Sequence, residues 1–238
     1  MIKKALILFS SFLSLLTPCL LAASSQLTVA VAANYALTLQ EKAQQYQAQT
    51  GNKVTVISGA TGKLYLQALH GAPFDLFFAA DSQHPQNLID KHLAYSDSLV
   101  TYATAELVLI ANHDAIAKRG EHVLQEQAFH WLAIANPQLA PCGYAATEVL
   151  QHLKLDQLLK DKITYAENVN QTLSFVMSDA AELGLVTYSQ VRNKLPEENI
   201  WHIPSDYYSP IIEQAVILKN TSDKELANDF LAFITKSK

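Results

Sequence analysis

Four short segments combine small residues, a polar side chain and backbone N–H groups at the mouth of a helix. They are Ala33-Asn34, Ala60-Thr61-Gly62, Pro141-Cys142-Gly143 and Asn168-Val169-Asn170. Each follows an apolar run that reads as a strand and precedes residues at helical spacing. The first N–H groups of a helix have no partner within it and carry the positive end of its dipole, so such a turn offers donors to an anion. One turn of this kind is an ordinary loop entering a helix. Four of them, two from each side of a cleft, would hold a tetrahedral dianion through charge-assisted bonds with no buried Lys or Arg.

Neighbouring residues suggest other chemistry and carry it less far. Lys63 follows Gly62 as in a phosphate loop, but Gly59 stands only three positions before Gly62 and Leu64 occupies the Ser/Thr position. The Walker spacing is therefore absent, and Lys63 reads as a helix-face residue. Cys142 precedes a helix N-terminus, which would lower a thiol pKa and favour a nucleophile. A cysteine-dependent enzyme also needs a partner base. The eight histidines are scattered, and His130 and His152, nearest in sequence, stand at uninformative spacings. Catalysis through Cys142 is a remote alternative, and a buried cysteine serving as a small hydrophobe is preferred. No His-x-x-x-His zinc pattern occurs.

The elements that must position these turns alternate strand and helix throughout, which predicts α/β architecture. Strands are expected at Leu27–Ala33, Val54–Ser58, Leu76–Ala79, Leu107–Ala111, Leu132–Ala135, Ile163–Ala166, Leu183–Tyr188, Ile200–Ile203 and Ala215–Leu218. Helical spacing links Ala36, Leu39, Ala43 and Tyr46 up to a stop at Gly51, and Leu64–Leu69 up to Gly71. Further helices are expected around Pro85, Leu88, Ile89 and Leu93, over Gly143–Leu153, and around Leu173, Phe175 and Val176. Leu226, Phe230 and Phe233 mark the last helix, with Ser222 as its expected cap. Trp131 and Trp201 are expected to pack the second half of the molecule. No repeat, low-complexity tract or Gly/Ser linker marks a boundary.

The N-terminus has the pattern of an export signal: Lys3 and Lys4, a mostly apolar stretch from Ala5 to Leu16, then small residues Ala22 to Ser25. The run is too short to span a membrane, and cleavage is expected near Ala23, with residues 1–23 as the signal. Leu16-Thr17-Pro18-Cys19 departs from a lipoprotein box at Pro18, so lipidation at Cys19 is disfavoured. The remaining chain, about 215 residues, is long enough for one large domain or two small lobes. Removing Lys3 and Lys4 from 17 basic residues leaves 15 against 22 acidic ones, a net charge of −7, which argues against nucleic acid as a partner. Cys142 is then the only cysteine, so no internal disulfide can form and stability rests on the core.

Taken in order along the chain, the four turns, with Ser58 to Leu64 and Gly71 to Asp81 around the second of them, resemble the periplasmic molybdate-binding proteins of ABC importers. The resemblance covers nearly all of the exported chain. It implies a two-lobed type II periplasmic binding protein fold with the ligand cleft between lobes. Lobe 1 would comprise 24–103 plus 209–238 and lobe 2 would comprise 104–208, with hinges near Thr101–Thr104 and Tyr207–Pro210. It implies an oxyanion site in which Asn34 and Thr61 donate through side chain and backbone, while Cys142 and Val169 donate backbone N–H groups. Ala33, Thr187 and Tyr188 are further candidates. Some members use a tyrosine hydroxyl after the Leu-Gly-hydrophobic-Val motif; here Leu183-Gly184-Leu185-Val186 is followed by Thr187, with Tyr188 one place later. The expected ligand is molybdate, with tungstate alongside it, and molybdenum enters only as the oxyanion. No cofactor and no catalysis are expected, the protein would act as a monomer, and its macromolecular partner would be a membrane permease. The alternative is a ferric-ion-binding protein of the same general fold, using Tyr207 and Tyr208 as phenolate ligands with Glu213 or His202 nearby.

Overall fold

The computed structural model describes residues 25–236; the export signal, its cleavage point and Cys19 lie outside them. In chain order the strands are β1 (Gln26–Ala32), β2 (Lys53–Gly59), β3 (Leu76–Ala79), β4 (Val100–Ala105), β5 (Leu107–Ala111), β6 (Leu132–Ala135), β7 (Ile163–Ala166), β8 (Leu183–Thr187), β9 (Ile200–His202) and β10 (Ile211–Ile217). The helices are α1 (Ala36–Thr50), α2 (Thr61–Leu69), α3 (Gln83–Asp90), α4 (His122–Glu126), α5 (Pro141–His152), α6 (Val169–Met177), α7 (Tyr188–Val191) and α8 (Lys224–Lys236).

The strands form two five-stranded mixed sheets, one in the order β2-β1-β3-β10-β4 and the other β7-β6-β8-β5-β9. Within each, the first three strands run parallel and the remaining strands pair antiparallel. Period-two alternation supplies both faces of each sheet. On β1, Leu27, Val29 and Val31 join the core beneath α1 and α8, while Ala30 joins the opposite core beneath α2 and α3. On β5, Leu107, Leu109 and Ala111 face the core shared with α5, and Val108 and Ile110 face α6 and α7.

The covering helices follow from spacing and caps. Leu39, Ala43 and Tyr46 form the buried stripe of α1, and the helix closes at Gly51, whose φ of 77° lets its N–H reach the Gln47 carbonyl. Tyr46 meets Phe230 of α8 edge-on at 5.1 Å, a contact worth about 0.5–1.5 kcal/mol beyond its buried area. The cap of α8 is Asp223, whose carboxylate accepts the Leu226 N–H, and not Ser222. An aspartate one residue nearer the helix competes better because it carries charge at the positive end of the dipole. Leu93 falls past the end of α3, and β10 begins four residues before the expected Ala215. Trp201 packs on the second core, whereas Trp131 is 46% exposed and packs little.

Between Val100 and Ala105 the chain forms β4, a strand not read from the sequence, paired with β10, so the hinge expected at Thr101–Thr104 lies inside a sheet and the crossing falls after it, at Glu106. The chain leaves the first sheet at Ala105 and starts the second at Leu107, and it returns through the segment before Ile211. Because Ala105 pairs with Ile211, the two crossings lie side by side. No helix among the described residues is long and apolar enough to cross a membrane.

Candidate functional site

The two sheets point the C-terminal ends of their parallel strands at one another. Between them lies a small cavity lined by the ends of β1 and β2 and the starts of α2, α5 and α6. The space open to the centre of a water molecule is about 10 Å³, room for one compact group. Asn34, Thr61, Cys142 and Val169 all line it, together with Ala33, Ala80 and Asn168. The four turns singled out in the sequence therefore converge.

From the first sheet come two polar residues that are almost fully buried. Thr61 is the first residue of α2, and its Oγ1 accepts the Ala80 N–H at 3.1 Å. With its acceptor side occupied, the hydroxyl keeps its own hydrogen to give. Asn34 lies in a single 3-10 turn, Ala33–Tyr35, ahead of α1, and its amide Nδ2 donates to Glu213 Oε1. From the second sheet come backbone donors. Cys142 is the second residue of α5 after Pro141, and Val169 opens α6. Their N–H groups belong to first turns, where no intrahelical acceptor exists. Asn168 caps α6 by accepting the Asn170 and Gln171 N–H groups through Oδ1, which spends its side chain on later residues and leaves Val169 foremost. Gly143 admits no larger residue: a Cβ there would stand 2.2 Å from the Ala135 carbonyl, so α5 starts hard against β6.

The two sides also touch directly. The Gly62 N–H donates to the Leu139 carbonyl across the cleft at 2.8 Å. A Cβ on Gly62 would meet that carbonyl at 3.1 Å. Lys63 pairs with Glu167 at 2.7 Å with both side chains about half exposed, so the lysine joins the lobes rather than only facing solvent. Beside the cavity an open groove of about 320 Å³ separates Asp81 and His84 from Glu148 and Tyr144.

Electrostatics run against the nucleophile reading. Burial, then the negative fields of Glu213 and Asp81, push the Cys142 thiol far above its ordinary value, opposite to the lowering expected of a helix N-terminus. The helix effect is a fraction of a charge, while complete burial penalises the whole thiolate. The fifth-contact candidates also lie elsewhere. Thr187 ends β8 and caps α7, its hydroxyl donating to Gln190 Oε1 at 3.0 Å. Gln190 Nε2 in turn donates to Asn170 at 2.6 Å, so Thr187 steadies the start of α6 and does not enter the cavity. Tyr188 begins α7 and is not a strand residue; its hydroxyl donates to Glu197 at 2.7 Å.

Tyr207 and Tyr208 form no ligand pair. Tyr207 donates to Glu121 at 2.8 Å and stacks on His152 at 4.0 Å, while the Tyr208 oxygen accepts the Leu107 N–H at 3.0 Å. Both phenols are raised above their ordinary values, Tyr207 chiefly by its bond to Glu121 and Tyr208 chiefly by burial, the reverse of what phenolate ligation needs. His202 is held by Glu106 and Glu197. Among the described residues no three His, Cys, Asp or Glu side chains cluster to hold a metal.

Sequence reasoning missed Glu213 as part of this site. It is 1% exposed, bonded to Asn34, and raised to about 7 by burial, against the pull of its hydrogen bonds. The signal available was one carboxylate inside the apolar run Ile211 to Ile217.

With the geometry described, comparisons with known proteins are consistent with it. Residues 27–238 match the bacterial extracellular solute-binding protein family. The chain is 37% identical to the molybdate-binding protein ModA of Azotobacter vinelandii, covering 90% of this chain and 85% of that one. It is 35% identical to ModA of Rhodobacter capsulatus, covering 90% and 84%. The solved periplasmic molybdate-binding protein of Azotobacter vinelandii superposes with a TM-score of 0.83 at 38% identity, covering 87% of this chain and 92% of that one. Two mixed sheets around a shared cleft, a profile match over nearly the whole described chain, and relatives at this identity make this protein a member of the bacterial extracellular solute-binding proteins.

Proposed function

We propose that this protein captures molybdate outside the cytoplasmic membrane and delivers it to the permease of an ABC importer. The observation that carries the proposal is the convergence of four helix-opening turns, two from each lobe, on one small cavity free of basic side chains. Asn34 and Thr61 donate from the first lobe through side chain and N–H; Cys142 and Val169 donate N–H groups from the second. All four bond to oxygen atoms, and no residue ligates the molybdenum. Neutral, fixed donors select by the size of the tetrahedron, so tungstate, with similar metal–oxygen bonds, binds as well, and sulfate, being smaller, binds less well.

Capture follows from closure. The anion binds the donors of one lobe, and the other lobe swings over it about the crossings at Glu106 and at Tyr207–Pro210. The ligand moves the open–closed balance only through its greater affinity for the closed form, where water is excluded and polar contacts strengthen. The lobes divide near the expected bounds, 104–208 forming the second, except that Thr104 and Ala105 complete β4 and so move with the first lobe. The protein works as a monomer without a cofactor, its export signal is removed near Ala23, and it is a carrier rather than an enzyme. The relatives named above are binding proteins, which supports the carrier reading.

Thermal unfolding of ligand-stripped protein with molybdate, tungstate, sulfate, phosphate or ferric citrate tests the reading. A ligand at about 1,000 times its dissociation constant stabilises the native state by roughly 4 kcal/mol, an easily seen rise in midpoint. A rise with molybdate and tungstate supports the proposal; a rise with ferric citrate alone, or with none of the five, overturns it.

A further inference from the structure

Behind the anion site stands a carboxyl group that oxyanion capture as described does not use. Glu213 is buried on β10, and no basic side chain among the described residues pairs with it. Its Oε1 accepts from the Asn34 amide. Tyr102, buried on β4, is a second neighbour. The Tyr102 hydroxyl donates to the Ala79 carbonyl at 3.0 Å and is thereby directed away from Glu213. A buried carboxyl given an amide donor and no cation is better accommodated as the neutral acid than as the carboxylate.

We infer that Glu213 is a positioning residue of the anion site that works as a neutral acid: it fixes the Asn34 amide, and capture of a dianion draws a proton from solution onto its carboxyl. This rests on the oxyanion reading above. With one hydrogen of Asn34 Nδ2 committed to Glu213, the amide cannot turn its oxygen toward the anion, and the second hydrogen is free to donate. An ionised Glu213 would instead place a negative charge one side chain from the ligand in a water-poor site, where like charges strongly disfavour each other.

The groups facing Glu213 do not offset that charge. Tyr35, in the turn with Asn34, is pushed up to about 12 by burial and by Glu213. Tyr102 on β4 is raised well above its ordinary value, chiefly by burial, and Cys142 of α5 is raised likewise. All three stay neutral up to pH 9. Asp81, which acts on Cys142, is itself acidic, and His84 is taken by Asp81 at 2.6 Å. From β3 and α8 the packed residues are apolar. Burial raises the Glu213 carboxyl to about 7 against the pull of its hydrogen bonds, and an adjacent dianion raises it further. Affinity is then greatest where Glu213 is protonated before binding and falls by up to tenfold per pH unit above that point.

Titration calorimetry of sodium molybdate into ligand-stripped protein between pH 6 and 9, in buffers of different ionisation enthalpy, tests this. Molybdate itself holds no proton in this range. The expected result is uptake of up to one proton per molybdate at pH 8 and a matching fall in affinity. Glu213→Gln, which can still accept from Asn34, is expected to bind with a flat pH profile and no uptake, whereas Glu213→Ala weakens binding at every pH. Binding by the unaltered protein without proton uptake overturns this inference alone and needs no variant to fold. An unchanged pH slope in Glu213→Gln also overturns it. Absence of molybdate binding at any pH overturns the oxyanion reading, and this inference with it.

Discussion

The two lobes approach the same cavity with different chemistry. The first presents Asn34 and Thr61, polar side chains that are buried and held by named partners, Glu213 and the Ala80 N–H. The second presents Cys142 and Val169, whose side chains belong to the apolar core. One side is therefore built from residue identity and the other from helix placement. A side-chain donor is lost when a single residue changes. A backbone donor survives any substitution that leaves its helix start in place, and here that start depends on Gly143 against Ala135 and on the Asn168 cap.

This contrast orders the expected effects of substitution on molybdate binding. Asn34→Asp has the largest: it sets a carboxylate both toward the dianion and against Glu213, and affinity measured by calorimetry should fall more than about 100-fold, since charged groups left unmatched in a buried site cost several kcal/mol. Thr61→Ala removes one donor and should cost about 1.5–3 kcal/mol, the range for a hydrogen bond to a charged group. Gly62→Ala tests closure instead of contact. The added methyl presses on the Leu139 carbonyl, and a cost of about 1 kcal/mol is expected, with small-angle scattering showing a smaller compaction on adding ligand. Cys142→Ser should sit at the bottom, within about twofold of the parent, because the N–H survives. Abolished binding in a folded Cys142→Ser protein would remove the distinction between the lobes.

Much of this was legible in the sequence because local physics settles it. Leu76–Ala79, Leu107–Ala111 and Leu132–Ala135 have the bounds that their apolar runs imply. Such runs between turn residues have few alternatives when both faces of a sheet are covered. The four turns were visible for the same reason. What escaped depends on distant partners. Val100–Ala105 carries polar and small residues that look like a linker until β10 pairs with it. Tyr188 continues an apolar run, but Thr187 and Gln190 form a capping box that starts a helix there. Glu213 acquires its role only because Asn34, 179 positions away, folds onto it. The Gly62–Leu139 bond is between backbone atoms, so no residue type announces it.

Cys142 is the only thiol among the described residues, and it is sealed at the point where the lobes meet. A water-soluble alkylating reagent can reach it only while the cleft gapes. Its modification rate then equals the fraction of gaping molecules multiplied by the rate of the freed thiol. The protein thus contains its own clock for lobe motion. Molybdate should slow labelling in proportion to the bound fraction, and the residual rate at saturation reports how often the loaded carrier opens.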